Sequence, residues 1–210
     1  MWRQYRPLEP GEFIVAGVDT ATGLGDYVAG QFISKTKRDV PLVLHSKQTM
    51  TACTMPLATT LEKIYDQTQV PPVVAIERNN GGTFELDRLA AANRSNKFNI
   101  FTMPEYGTTQ NDSTNKLGWN TNTATRPQML QDLKNAVDNK LLRIFDPQTI
   151  TELFSFVVVT TTSSVKAQAE KGAHDDLIMS LAIAWQLYQM CNPPILDSDY
   201  QRPDFNKWAI

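Results

Sequence analysis

Residues 13–26 read FIVAGVDTATGLGD, and this stretch decides the fold class of the chain. A short apolar run rich in β-branched residues ends at the carboxylate of Asp19. Such a run is typical of a strand buried in a central sheet, and the polar and glycine residues after it indicate a turn. A carboxylate at the end of a buried strand needs a counter-charge or stays protonated, because burial disfavours its charged form. The stretch therefore predicts a central strand that carries Asp19 to one edge of a sheet.

Two later segments also place acids at the ends of apolar runs. Residues 73–82 read VVAIERNNGG, in which Glu77 directly follows a continuously apolar stretch. Residues 172–179 read GAHDDLIM, in which Asp175 and Asp176 open an apolar helix. Carboxylates that meet from two strand ends and a helix start repel each other unless a cation neutralises them or some stay protonated. The three segments together predict a divalent-metal site for phosphodiester chemistry.

The predicted elements follow the order of an α/β domain. Three apolar segments come first and predict an antiparallel meander, because only a short polar turn separates the last two. Helices and strands then alternate, and a final helix carries the paired acids. The segments are strands at 13–18, 27–34 and 40–45, a helix near 57–65, a strand at 73–76, a helix near 86–90, strands at 99–103 and 141–145, helices at 125–137 and 147–153, a β-hairpin near 156–169, and a helix at 175–190.

Two regions are predicted to lack regular structure. Residues 104–124 are polar and aperiodic, and a connection of this length in a compact domain is often functional or disordered. Residues 193–210 are polar and contain proline, which predicts an extended tail. We therefore expect one domain at 1–192 and a C-terminal tail at 193–210.

Composition excludes several classes of protein. The chain has 210 residues, of which 41% are hydrophobic and 20% are charged, as in an ordinary globular domain. No apolar run approaches the roughly 20 residues that cross a bilayer, so we expect no membrane partner. Only two cysteines and two histidines are present, without a CxxC pair, which argues against a zinc site and favours an intracellular setting. The net charge of −2 gives no overall electrostatic attraction to nucleic acid.

The ordered motifs resemble the nuclease domain of tailed-bacteriophage large terminases. They are GVDTATGLGDY around Asp19, IERNNGG around Glu77, KLGW at 116–119 before a Thr- and Arg-containing helix start, and GAHDDL at 172–177. The resemblance runs in order from about residue 13 to residue 190. It implies a ribonuclease-H-like α/β fold, with helices on a central mixed sheet whose first three strands are antiparallel.

The resemblance also implies an activity and partners. The expected enzyme is an endonuclease that cuts concatemeric double-stranded viral DNA during genome packaging, using two Mg²⁺ or Mn²⁺ ions and leaving 5′-phosphate and 3′-hydroxyl ends. The packaging ATPase of the full-length protein has no counterpart in this sequence, which contains no G-x-x-x-x-G-K-[ST] phosphate loop. The full-length protein is expected at the procapsid portal in the host cytoplasm, with the portal ring and the small terminase subunit, whereas the isolated domain is expected to be a monomer.

The resemblance assigns roles to five acids. Asp19, Glu77 and Asp176 are the implied catalytic metal ligands, with Asp175 and Asp26 as auxiliary ligands. Adjacent helix residues point about 100° apart, so Asp175 and Asp176 cannot occupy equivalent positions. The family pattern favours Asp176. Carboxylates suit Mg²⁺ and Mn²⁺, because these hard cations prefer oxygen ligands.

Three further residues are candidates for contact with DNA. Lys116 would contact DNA. Lys166 would contact phosphate or orient a carboxylate near the site, although it is equally well explained as a surface lysine. Trp119 would stack on a base or lie in a groove, and the alternative is a buried anchor for the long connection. The acids have alternative roles too, since Asp19 could begin a turn and Asp175 and Asp176 could favour a helix N-terminus through its dipole.

Other functions remain open at this point. A Holliday-junction resolvase or a transposase core would use the same acids on the same fold. An actin-like phosphotransferase lobe also begins with a strand, an aspartate and a glycine-containing turn, but that architecture needs two lobes. A non-catalytic scaffold could keep the fold to dock a portal ring, although retention of three acidic segments argues against it.

Overall fold

The computed structural model describes residues 1–20, 27–79, 81–106, 113–160, 165–169 and 174–194. The strands are β1 (Trp2–Gln4), β2 (Ile14–Asp19), β3 (Val28–Ser34), β4 (Asp39–Ser46), β5 (Val73–Ile76), β6 (Asn99–Ile100), β7 (Thr102–Tyr106), β8 (Ser113–Leu117), β9 (Arg143–Ile144), β10 (Phe156–Thr160) and β11 (Val165–Ala169). The helices are α1 (Met50–Thr68), α2 (Gly82–Ala92), α3 (Thr125–Asp138), α4 (Pro147–Ser155) and α5 (Asp176–Met190).

The central sheet is mixed, as the sequence predicts. Within the described residues it has the order β1-β4-β3-β2-β5-β6, with β9 alongside β4. Strands β2, β3 and β4 are antiparallel neighbours, which confirms the predicted meander. Strand β5 lies parallel to β2, and β6 lies parallel to β5. The parallel pairing places the carboxyl ends of β2 and β5 at the same edge of the sheet.

Helices cover both faces of the sheet. Along β2 the side chains alternate, so that Val15 packs with α3 and α5 on one face. Its neighbours Ile14 and Ala16 pack with α1 and α2 on the other. Every residue of β2 is buried, which is why the strand reads as a continuous apolar run.

Helix α5 packs directly against the backbone of β2. A Cβ atom at Gly17 would clash with the backbone atoms of Ser180 and Ala184, so only glycine permits this approach. Asp176 lies one turn before Ser180, and Asp19 lies two residues beyond Gly17 at the end of β2. The contact therefore brings the first turn of α5 to the edge of the sheet where β2 ends.

Two parts of the fold differ from the sequence-based predictions. The N-terminal strand β1 was not predicted, and it extends the sheet by pairing with β4. The region 104–124 was predicted to be irregular, but β7 and β8 form an antiparallel hairpin that enters it. This part of the prediction was wrong because backbone pairing, not apolar periodicity, defines the polar strand β8.

The remaining elements agree with the predictions where they are described, except for the strand predicted at 99–103. That segment divides into β6, which joins the central sheet, and β7, which pairs with β8 outside it. Strands β10 and β11 form the predicted hairpin near 156–169, and α5 begins one residue after the predicted start at 175. Most of the predicted tail, from residue 195 onward, lies outside the described residues, so the domain boundary stays a prediction. Among the described helices, none is both long and apolar enough to cross a membrane.

Candidate metal centre

Asp19 and Glu77 meet at the ends of two parallel strands. Val18 and Ile76 are register partners, and the backbone N–H of Glu77 donates to the carbonyl of Val18 at 2.8 Å. This register brings the next residue of each strand to the same point, where Glu77 acts on the carboxyl group of Asp19. Asp19 is 9% exposed and Glu77 is 6% exposed, so water screens little of their mutual repulsion.

The electrostatics of this pair favour a bound proton or a cation. Burial raises the pKa of Asp19 well above its ordinary value, and the hydrogen bond to Glu77 raises it further. The negative charges of Glu77, Asp176 and Asp175 act in the same direction on the pKa of Asp19. Three neighbouring acids thus act on Asp19 in the same direction.

Asp176 completes this edge from the first turn of α5. It is 8% exposed, and one of its oxygens accepts a hydrogen bond from the backbone N–H of Tyr27 at 3.2 Å. The same oxygen lies 3.7 Å from Nδ1 of His174. Tyr27 precedes β3, whose residue Ala29 is the register partner of Asp19. The residue that precedes β3 therefore holds Asp176 on the side of the sheet where Asp19 ends β2.

Asp175 points in a different direction from Asp176. Its carboxylate accepts a hydrogen bond from the Nη2 group of Arg126, at 2.8 Å. Both side chains of this ion pair are about one-third exposed, at 37% for Arg126 and 32% for Asp175. The two adjacent acids thus have different surroundings, and the structure places Asp176, not Asp175, in the buried position.

A polar loop holds Glu77 in place. The side-chain amide of Asn79 donates to Glu77 at 3.3 Å and to the carbonyl of Thr121 at 2.9 Å. The hydroxyl of Thr20 donates to the carbonyl of Asn79 at 3.0 Å, which ties this loop to the end of β2. The sequence analysis did not assign Asn79 a role, and its position in an Asn-Asn-Gly-Gly turn gave no signal of this contact.

Trp119 is buried beside Glu77 and does not present its ring to solvent. Its side chain is 3% exposed and packs against Phe101, with ring centroids 6.1 Å apart. Its backbone bonds to Ile76 and Arg78, on either side of Glu77, at 2.9 and 2.8 Å. These contacts support the alternative of a buried anchor over base stacking, because a stacking ring must be accessible.

The remaining candidate residues are less closely tied to the acids. Lys116 is exposed on β8, three residues before Trp119. Lys166 lies on β11, where it is the register partner of Val159. Asp26 lies outside the described residues, so its role as an auxiliary ligand stays a prediction.

Glu152 was not singled out by the sequence analysis, yet it lies against the start of α5. Its Oε2 atom accepts a hydrogen bond from the backbone N–H of Leu177 at 3.0 Å. Burial raises the pKa of Glu152 to about 7, and the charges of Asp176 and Asp175 also raise it, against the lowering effect of backbone hydrogen bonds. In the sequence it reads as an ordinary polar residue of a short helix.

An aromatic group lines the site next to Asp176. The ring of Tyr27 stacks on His45, with centroids 4.2 Å apart, and contacts His174 edge-on at 5.2 Å. Both histidines of the chain therefore flank the residue whose backbone binds Asp176. Sequence reasoning missed this group because the three residues come from separate segments.

The donor set suits a hard cation. The acids supply carboxylate oxygens, which Mg²⁺ and Mn²⁺ prefer, and the contact between Asp19 and Glu77 marks the place where positive charge is needed. Among the described residues, no three carboxylate, imidazole or thiol groups yet converge closely enough to enclose a metal ion. Asp19 and Glu77 thus form the part of the candidate site that is already assembled, and the charge of Asp176 acts on it.

The fold is ribonuclease-H-like, with helices on both faces of a mixed sheet and with Asp19 and Glu77 at the ends of neighbouring parallel strands. Solved terminase nuclease domains share the fold. The cobalt-bound large terminase nuclease of thermophilic phage G20c has a TM-score of 0.60 and 17% identity, covering 87% of this chain and 84% of that one. The nuclease domain of Thermus phage P74-26 gives 0.57 and 17%, covering 89% and 84%.

A herpesvirus protein is similar to a comparable extent. The human cytomegalovirus terminase nuclease domain has a TM-score of 0.59 and 10% identity, covering 84% of this chain and 83% of that one. No family model matches the sequence, and no curated protein matches it significantly. At these identities the likeness establishes the shared fold, and the functional argument depends on the residues of the site.

Proposed function

We propose that this chain is the metal-dependent nuclease domain of a viral DNA-packaging terminase. The observation that carries the proposal is the buried contact between Asp19 and Glu77, with Asp176 beside it, at the carboxyl edge of the sheet. The fold is shared with terminase nucleases, among them G20c structures with bound cobalt and magnesium. The human cytomegalovirus terminase nuclease domain, which has this fold, has also been studied in crystals soaked with manganese.

Asp19, Glu77 and Asp176 would hold the metal, with Asp175 and Asp26 as auxiliary ligands. Two bound Mg²⁺ or Mn²⁺ ions would activate the attacking water and stabilise the departing 3′ oxygen of the phosphodiester. Asp19 is our choice for the ligand shared between the two ions, because it ends the central strand. The products would carry 5′-phosphate and 3′-hydroxyl ends.

The protein's own groups prepare this site. The pKa of Asp19 is raised, and Asp19 must release its proton before it can act as a ligand, so metal affinity should fall at low pH. Asn79 orients Glu77 through its side-chain amide, and the N–H of Tyr27 orients Asp176. These bonds fix the carboxylates before substrate arrives, which lowers the cost of ordering them on binding.

The substrate would be double-stranded concatemeric DNA, cut internally. Lys116 and Lys166 would contact phosphates, and binding by the isolated domain would be weak because the net charge is −2. In the complete packaging machine we propose the portal ring and the small terminase subunit as partners, at the procapsid in the host cytoplasm. The ATPase motor would be supplied by another part of the protein.

The decisive experiment is cleavage of supercoiled plasmid in Mg²⁺, Mn²⁺ or EDTA. We expect nicked and linear products with metal, and none with EDTA or with Asp19→Asn. Circular dichroism of the variant checks that it remains folded. A folded parent chain that binds DNA but leaves it intact in Mn²⁺ would overturn the proposal and favour a non-catalytic scaffold.

A further inference from the structure

Helix α5 begins without a cap from its own residues. Within the described part of the chain, Asp175 occupies the N-cap position but gives no side-chain hydrogen bond to the helix. Its carboxylate is paired with Arg126 instead. The first N–H groups of a helix have no partner inside the helix, so a buried helix start requires an acceptor from elsewhere.

Glu152 supplies this acceptor from α4. Its carboxylate accepts the backbone N–H of Leu177, with Oε2 3.0 Å from the nitrogen. The backbone N–H of Ile178 acts on the same carboxylate and lowers its pKa. The two N–H groups follow Asp176 directly in the chain, so they fix the turn that carries it.

The same turn is held through a second residue of α4. Thr149 lies one turn before Glu152, and its hydroxyl accepts a hydrogen bond from the side-chain amide of Gln31 at 2.7 Å. The amide of Gln31 also lies 3.5 Å from the carbonyl of Leu177. The peptide groups on both sides of Leu177 are therefore tied to α4, and α4 fixes the position of the first turn of α5.

We propose that Glu152 is a positioning residue, which holds Asp176 ready for a cation by capping α5 from a separate helix. This inference rests on the proposed function, because it concerns the same metal site. Glu152 acts through backbone N–H groups, and its hydrogen-bonding capacity, not its charge, is what the cap requires. An amide at position 152 should therefore replace the carboxylate, whereas a methyl group should not.

The test compares Glu152→Gln with Glu152→Ala by two measurements that need no cleavage. Amide hydrogen exchange at Leu177 and Ile178 reports the cap, and calorimetric titration with Mn²⁺ reports the site. We expect Glu152→Ala to exchange faster at both amides and to bind Mn²⁺ about 10–100-fold more weakly, the usual effect of losing a group that orients a metal ligand. Glu152→Gln should retain amide protection and Mn²⁺ affinity.

Glu12 provides a matched control. It is 1% exposed and accepts hydrogen bonds from Arg6 and Ser34, near the opposite edge of the sheet. Glu12→Gln removes a buried charge there and should lower the free energy of unfolding without changing Mn²⁺ affinity. A loss of Mn²⁺ affinity in Glu12→Gln equal to that in Glu152→Ala would overturn the inference, because general destabilisation would then explain both.

Two further outcomes would count against the cap. If Glu152→Gln protects both amides yet loses Mn²⁺ as Glu152→Ala does, the charge of Glu152 matters and it is a ligand. If Glu152→Ala keeps the parent's Mn²⁺ affinity, the cap has no part in positioning Asp176. A folded parent that binds no Mn²⁺ would overturn the proposed function and this inference with it, while the exchange data would still report the cap.

Discussion

The carboxyl groups of Asp19 and Glu77 lie together at the ends of neighbouring parallel strands, and burial and the interaction with Glu77 raise the pKa of Asp19. The metal-free site therefore favours the protonated form of Asp19. The same repulsion that disfavours the metal-free site supports the binding of a divalent ion. The free energy of unfolding should therefore depend on both pH and metal concentration, and Asp19→Asn should weaken both dependences.

The metal-free protein should lose part of its stability as the pH rises. Burial and the contact with Glu77 raise the pKa of Asp19 in the folded state above that of the unfolded chain. Its contribution is complete below the unfolded pKa, about 4. It is lost as the pH rises through the folded pKa. Urea unfolding in EDTA at a series of pH values should show this loss, and Asp19→Asn should reduce it. Identical pH profiles for parent and variant would contradict the raised pKa of Asp19.

Divalent metal should stabilise the parent chain and not Asp19→Asn. A ligand that binds only the folded state adds about 2.7 kcal/mol at a concentration one hundred times its Kd. For a domain of this size that corresponds to a rise in Tm of roughly 5 to 11 °C. Thermal unfolding with and without Mn²⁺ measures the effect. An equal rise in parent and variant would place the bound metal away from Asp19.

The main features of the fold could be predicted because they have local signals. The apolar run before Asp19 and the one before Glu77 are buried strands, and their periodicity differs from that of the helices between them. Strand β1 has no such signal, since Trp2–Gln4 is short and two of its residues are polar. It is held by pairing with β4 and by the ion pair of Arg3 with Asp146, at 2.6 Å, far along the chain.

The site could be predicted only for residues whose chemistry is unusual in their local context. An acid at the end of an apolar strand is conspicuous, which is why Asp19 and Glu77 were found. Glu152 accepts a hydrogen bond from the backbone of α5, and the backbone N–H of Tyr27 donates one to Asp176. Neither residue differs in its local sequence from an ordinary residue of a polar helix or loop. Contacts of this kind depend on tertiary packing and leave no pattern in a single sequence.

Asp175 and Asp176 should differ sharply when each is neutralised. Asp176 is buried and its charge acts on Asp19, so Asp176→Asn should abolish metal-dependent cleavage. Asp175 is paired with Arg126 and is about one-third exposed. Asp175→Asn should therefore lower the cleavage rate by at most about 10–100-fold, as expected when a group that supports a metal ligand is lost. Plasmid cleavage at saturating Mn²⁺ compares them. Complete loss in Asp175→Asn with activity retained in Asp176→Asn would reverse the assignment.

Replacing Trp119 should affect stability more than DNA binding. Its ring is buried against Phe101, and truncation of a buried aromatic to Ala costs about 3–5 kcal/mol. Trp119→Leu keeps an apolar group and should lose less, while the folded variant binds DNA as the parent does. Urea unfolding and fluorescence anisotropy with labelled duplex give the two values. Weaker binding at unchanged stability would show that the ring reaches DNA.

Packing of α5 on β2 should be intolerant of any side chain at residue 17. A Cβ atom there meets the backbone of Ser180 and Ala184, which cannot move independently of the helix. Overpacking of a core commonly costs about 1–3 kcal/mol, and a backbone clash belongs at the upper end. Gly17→Ala should therefore lower the free energy of unfolding and weaken Mn²⁺ binding by displacing Asp176. Gly11→Ala is the control. Gly11 has a φ of +83° and a Cβ atom there meets nothing within 4 Å, so its cost is backbone strain without a clash.

Lys116 and Lys166 should contribute to DNA binding through charge alone. Each phosphate contact that is removed should reduce the slope of log K against log salt concentration by about 1, without changing sequence preference. Lys116→Gln and Lys166→Gln can be compared in an Asp19→Asn background, which prevents cleavage during the titration. Lys97→Gln is the matched control. Lys97 pairs with Asp66 at 2.6 Å and precedes β6, so it lies at the amino ends of the parallel strands, whereas the acids lie at the carboxyl ends. If all three variants reduce the salt dependence equally, net charge attracts the DNA, and Lys116 and Lys166 make no specific phosphate contacts.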